Sequence, residues 1–229
     1  MAHLSRWGTR TWPGRRSIPP AAGPPTWSRP YAPAGALTAV LTVFLVLVAA
    51  GNAAMTALEA IDPVVALRPP NPALLVAITA MPVTILGTMA CVVLVPVWMH
   101  RCYRNLPALG ARGLRWSPRW AAAGWFVPLA GWAIPYLVAR DLVAAGEPDD
   151  GRASRLLAAW WGAWLLTGLV QLLVYRQPVR TGHLPDAPLA ALYYGGHVAA
   201  ALLLLRLVRL VDSRQRERHA RLAGADPAA

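Results

Sequence analysis

Lysine is absent: all 22 basic side chains in the 229 residues are arginine. A GC-rich coding bias explains such a composition, so arginine position carries more information than arginine identity. Charge of any kind is scarce, at 14% of the chain against 56% hydrophobic. A soluble domain carries about a quarter charged residues, and this shortfall beside several long apolar runs places the chain among membrane proteins. The two cysteines, Cys91 and Cys102, match no zinc or redox spacing and read as reduced and structural. No glycine-rich phosphate loop, serine elbow or spaced histidine set occurs, so no cofactor or metal is expected. The net charge of +12 would suit nucleic acid, but no basic patch sits on a soluble domain, and nucleic acid is not expected as a partner.

What is present is an all-α pattern, a polytopic integral membrane helical bundle. Residues 1–33 hold seven prolines and five arginines and read as a disordered tail. The membrane domain covers 34–211, with spans at about 35–58, 72–99, 156–175 and 187–211, and a basic tail fills 212–229 as frayed helix. In the first span the small stretch Ala49–Ala54 favours close helix contact, and Asn52 is expected to hydrogen-bond across it. Pro82 and Pro96 are expected to kink the second. Residues 100–109 are expected to continue as a helix on the membrane surface. Ala158/Gly162 and Ala159/Ala163 are small pairs suited to a helix contact. Gln171 and His197 complete the intramembrane polar set, and His197 is expected to be neutral and bonded to a neighbouring helix.

A fifth apolar segment, 120–138, is broken by Pro128, Gly131 and Pro135 and carries Trp120, Trp125 and Trp132 along its length. Tryptophan prefers the interface. Arginine placement discriminates the two topologies. Five crossings leave 12 arginines inside and 10 outside. Four crossings, with 120–138 re-entrant or interfacial, leave 19 inside and 3 outside. The positive-inside rule selects four, with both termini cytoplasmic; five transmembrane helices is the alternative. Ser117-Pro118 reads as a cap and first turn. Asp141 beside Arg140 reads as a salt-bridged pair at the headgroups.

The stretch just described resembles a bacterial family of multi-pass membrane proteins, domain-of-unknown-function family 4328, over roughly Gly35 to Val211. The residues that carry the resemblance are Arg101, Arg104 and Asn105, Leu109-Gly110, Ser117-Pro118, Trp120, Trp125-Phe126, Pro128, Pro135 and Tyr136, with Trp160-Trp161 further on. The family pattern has asparagine where Gly131 stands and glutamate where Asp141 stands. The resemblance implies the architecture but no reaction, and the expected location is the plasma membrane of a bacterium. The candidate functional surface is Arg101, Arg104, Asn105, Ser117, Trp120, Trp125, Phe126, Pro128, Pro135, Tyr136 and Asp141.

Three function classes follow. The first is a non-enzymatic membrane module that binds lipid, a partner protein or a second copy through the inner-face surface 98–141. Five arginines between Arg101 and Arg119 would attract anionic headgroups there. The second is a small transporter or channel, which internal repeats or intramembrane charge would support; neither is visible. The third is a lipid-modifying enzyme, which needs a positioned acid, base or nucleophile.

Overall fold

The computed structural model describes residues 25–58, 71–145, 151–181 and 187–224, and these are helical without strands. Helix α1 is Gly35–Leu58 and α2 is Pro72–Asn105. Asn71 caps α2, its side chain accepting from the Ala73 amide at 2.9 Å, and Pro72 occupies the first turn, where no amide partner is needed. Two short helices follow, α3 (Pro118–Ala123) and α4 (Ile134–Ala144), with a 3-10 turn at Ala130–Trp132 between them. Helix α5 is Arg152–Thr181 and α6 is Ala187–Gly224.

Four of these helices, α1, α2, α5 and α6, are long and apolar enough to cross a membrane. The four expected spans are therefore present, and the broken segment contributes only six-residue α3 and 11-residue α4. At 1.5 Å per residue α4 covers about 16 Å, roughly half the hydrocarbon thickness.

Two boundaries differ from expectation. Residues 100–105 extend the axis of α2 rather than turning onto a surface. Their side chains Cys102, Tyr103 and Asn105 are buried against other elements, which rewards a straight continuation. The chain turns only at Leu106–Gly110, where Gly110 takes φ +78° and the Ala111 amide bonds back to the Leu106 carbonyl at 3.0 Å. Helix α6 continues to Gly224, and Asp212 and Gln215 are buried, so the first turns of the predicted tail pack in the body of the bundle. Pro82 and Pro96 lie inside α2 without interrupting it.

Helix α1 packs on both α2 and α6, and α6 packs on α5. The row α2–α1–α6–α5 is closed by the 118–144 segment, which touches α2 through α3 and α5 through α4. Close approach depends on small residues. A Cβ at Gly51 would overlap the Thr84 hydroxyl, and one at Gly196 would lie 2.7 Å from the Thr167 hydroxyl. The α5–α6 contact thus uses Gly196 and Thr167, not the expected Ala158/Gly162 pair, and Gly162 faces open space. The reason is helical phase: Ala153, Leu157, Trp160 and Trp161 take the buried face of α5 and turn Ala158, Ala159 and Gly162 outward.

The ends of the elements fix the number of crossings. Ala32, just before α1, bonds Asn105 at the end of α2, and Asn105 bonds Gln215 in α6. Both ends of 118–144 also meet the last turns of α2, as described below. The start of α1, the end of α2, both ends of the broken segment and residue 215 therefore share one end of the bundle. Single cysteines at Ser154, Thr181 and Ser213, in a cysteine-free background, test this with an impermeant thiol reagent. Ser154 and Ser213 are expected to share one side and Thr181 to lie on the other. Ser154 on the side of Thr181 would contradict the arrangement.

Candidate functional site at the arginine-rich end

The 118–144 segment is pinned twice to α2. His100 Nδ1 lies 2.8 Å from the Pro118 carbonyl. A carbonyl only accepts, so Nδ1 carries the proton and donates it. Further along the segment, the Tyr103 hydroxyl donates to Asp141 Oδ2 at 3.0 Å and accepts from the Trp116 amide at 3.2 Å. Three residues separate the two anchors on α2, so the segment leaves and returns at one level: it is a re-entrant hairpin.

Its interior is held by rings. Trp125 donates its indole N–H to Met99 Sδ at 3.3 Å on α2, and its ring lies 6.4, 6.3 and 5.9 Å from Trp160, Trp161 and Trp164 on α5. Trp161 and Trp164 stack at 4.7 Å, Tyr136 lies 6.0 Å from Trp161, and Trp132 lies 6.3 Å from Trp164. Each such pair contributes about 0.5–1.5 kcal/mol beyond its buried area. The reversal itself is a γ-turn: the Ala130 amide bonds the Pro128 carbonyl at 2.7 Å around Leu129, whose φ is +62°. That conformation is rare and strained for a residue with a Cβ. Leu129 is 87% exposed at this tip, flanked by exposed Phe126 and Trp132. Gly131 allows the two limbs to meet, since a Cβ there would stand 3.0 Å from the Trp125 carbonyl.

A second constellation ties α2 and α6 to the lead-in of α1 beside the hairpin. Asn105 accepts from the Ala32 amide at 3.2 Å and donates to the Ala32 carbonyl at 2.9 Å and to Gln215 Oε1 at 3.3 Å. Gln215 in turn donates to the Cys102 carbonyl at 3.0 Å. One buried amide thus satisfies both backbone groups of a residue in the lead-in to α1. That lead-in packs: Trp27 lies 6.2 Å from Tyr103, and Tyr31 stacks on His219 at 4.1 Å. Burial, with the Asp212 carboxylate and the Cys102 thiol nearby, pushes the Tyr31 phenol up. Residues 25–33 are accordingly part of the folded body, against the expectation of a disordered tail to residue 33. The rest of that expected tail, 1–24, lies outside the described residues.

Among the predicted surface residues, Asn105, Tyr136, Trp125, Pro135 and Asp141 converge on these two constellations. Ser117 occupies the cap position of α3 with extended backbone, but its side chain makes no cap hydrogen bond. Pro118 supplies the first turn instead. Asp141 takes the Tyr103 hydroxyl rather than Arg140, because Arg140, one residue earlier on α4, projects from a different face of the helix. Trp120, Phe126 and Pro128 are exposed along the hairpin. Arg101 and Arg104 are half-buried, and the Arg104 Nε is buried without a hydrogen-bond partner. Arg112, Arg115 and Arg119 are exposed.

The intramembrane polar set lies apart from this end. Asn52 is 1% exposed, but its amide donates to Val48 of its own helix at 2.8 Å rather than across the contact. His197 Nδ1 bonds the Tyr193 carbonyl at 2.9 Å, also within its own helix. Both sit at i+4 from their partner, where a helix offers its nearest carbonyl. Gln171 is half-buried on α5. Sequence reasoning missed Tyr103, Gln215, His100 and the Trp27–Ala32 lead-in. Of these, Gln215 alone left a trace, as an uncharged polar residue among the arginines of α6.

Among the described residues no cluster of three metal-ligating side chains occurs. The fold and site define a polytopic helical membrane protein whose short re-entrant hairpin closes a row of four long helices. The chain belongs to the family described as Domain of unknown function (DUF4328), which matches residues 71–213. The match covers α2 through the membrane part of α6, so α1 and its lead-in lie outside it, a shorter extent than the resemblance from Gly35 implied. No curated protein and no solved structure matches the chain.

The polar constellations generate a stability prediction. Asn105→Ala strands the Ala32 groups and Gln215, and Tyr103→Phe strands Asp141 and the Trp116 amide. Each is expected to cost about 1–3 kcal/mol, the penalty of unpaired buried polar groups, read as detergent-induced unfolding of the purified protein. Wild-type stability in both variants would show that neither constellation holds the end together.

Proposed function

We propose that the protein is a non-enzymatic membrane module of the bacterial plasma membrane that binds anionic lipid headgroups through its arginine-rich end, with both termini cytoplasmic. The observation that carries this reading is the position of residues 106–119. They leave the end of α2 and enter the hairpin at the level where both hairpin limbs are anchored, and Arg112, Arg115 and Arg119 are exposed there. Apolar Phe126, Leu129 and Trp132 project from the same hairpin. Exposed rings and aliphatic groups suit the acyl region, and guanidinium groups one level out suit phosphates. The 19-to-3 distribution of arginines for four crossings supports the cytoplasmic assignment of this end.

The test is lipid preference of the whole protein. Purified in neutral detergent, it is titrated with fluorescent phosphatidylglycerol and with the matched phosphatidylcholine. Tighter binding of phosphatidylglycerol, lost in about 1 M salt as exposed charges are screened, is the expected result. Equal affinity for the two lipids removes the electrostatic reading and leaves a protein partner or a second copy as the occupant of this surface.

A further inference from the structure

The hairpin closes only the half of the bundle nearest the arginine-rich end. In that half α2 is buried on two faces, through Trp98 and Cys102 towards α1 and through Met99 and Tyr103 towards the hairpin. In the far half its buried residues are Ala73, Ala80 and Gly87, seven apart and so on one stripe. That stripe meets α1, where a Cβ at Gly87 would stand 3.0 Å from Val48. On α5 the buried residues of the far half are Thr167 and Val170, and Thr167 meets Gly196 of α6. Helices α2 and α5 share no packed face. Among the described residues, a groove therefore runs between them from the hairpin tip to the far end of the bundle.

Helical phase identifies its walls. Trp161 and Trp164 face the hairpin through Trp125, and Gly168 lies seven residues from the one and four from the other. Gln171 and Tyr175 continue the same face. A Cβ at Gly168 would meet nothing within 4 Å. On α2, Met99 faces Trp125, and Val92 and Ile85 precede it at intervals of seven; both are exposed. Trp132, beside Trp164, and exposed Leu129 form the floor.

We infer that this groove holds one acyl chain of a phospholipid from the far leaflet, with the Gln171 amide donating to an ester carbonyl. The site is separate from the arginine-rich end. Three observations carry it. The first is length. Helix α5 rises about 16 Å from Trp164 to Tyr175, and the chains of one leaflet fill about 15 Å of hydrocarbon. The second is polarity. Gln171 is half-buried, and among the described residues its amide has no hydrogen-bond partner. An amide left unpaired in hydrocarbon is costly. This one lies a turn inside Tyr175, the depth at which ester groups begin. The third is shape. A helix crossing the whole bilayer cannot lie in this groove, because the hairpin occupies its continuation in the near half. A chain that ends at mid-bilayer can.

The test uses two glycines of α5 whose Cβ positions are both open, Gly168 in the groove and Gly162 facing outward. The full-length protein is reconstituted in phosphatidylcholine, extracted in mild detergent and washed in about 1 M salt, which screens the exposed arginines. Native mass spectrometry then counts the lipid retained. One phosphatidylcholine per chain is expected for the wild type and for Gly162→Phe, and a loss of at least about tenfold in occupancy for Gly168→Phe, whose ring fills the groove. Gln171→Leu, which keeps the volume and removes the amide, is expected to lose about fivefold, the equivalent of one net hydrogen bond. It decides the matter should Gly168→Phe not fold, and wild-type occupancy in it overturns the assigned contact. Equal retention in the two phenylalanine variants, or no lipid on the wild type, overturns the groove as a lipid site. A wild-type dimer that Gly168→Phe alone dissociates assigns the groove to a second copy and overturns it equally.

Discussion

The placement of the Trp125 ring governs the rest of the bundle. One indole reaches α2 through Met99 and α5 through Trp160, Trp161 and Trp164. The helices at the two ends of the row are thereby joined by a segment too short to cross. This requires the chain to reverse within a few residues, and the reversal explains the unusual backbone at Leu129 and the missing side chain at Gly131. Strain at the tip is sustained because both limbs are over-determined: His100 and Tyr103 hold the base, and the tryptophan cluster holds the middle.

Among the described residues, several buried polar groups at this end are met by neutral partners. Asn105 and Gln215 pair with each other and with backbone, and Asp141 is met by a phenol. Neutral donors and acceptors avoid the desolvation cost that buried charges carry. They also leave the surface arginines uncommitted to the fold at Arg112, Arg115 and Arg119, which are exposed. One ion pair among the described residues joins buried Asp212 to a largely exposed Arg216 one turn on. Among the described residues, this end of the bundle is thus packed inside and carries exposed arginines outside.

Much of the architecture was legible in hydropathy and punctuation. The first span matches α1 residue for residue, and the Pro72 start and the proline-broken segment were visible because prolines and apolar length act locally. The hairpin was legible through arginine placement before any contact was seen. What was not legible depends on tertiary partners. Residues 100–105 read as interfacial from their arginines, yet Cys102, Tyr103 and Asn105 alternate with them and face the bundle. Asn52 and His197 looked suited to cross-helix bonds, but the carbonyl four residues back was nearer. The Trp27–Ala32 lead-in has the composition of a loose tail and is ordered only because Asn105 and Tyr103 receive it. In the candidate site the family motif located Asn105, Trp125 and Asp141. It gave no hint of Gln215 or His219, which approach from a helix more than 100 residues later.

The central claim is that 118–144 enters and leaves the bilayer at one side. Depth along the segment measures this most directly. Single spin labels placed from 118 to 144 in a cysteine-free protein, reconstituted in lipid, report depth through the ratio of oxygen to nickel-chelate collision rates. The structure predicts shallow values at both ends and a single maximum near Leu129, at about half the hydrocarbon thickness. A depth profile that passes through the bilayer centre and becomes shallow on the opposite face by residue 144 would contradict it.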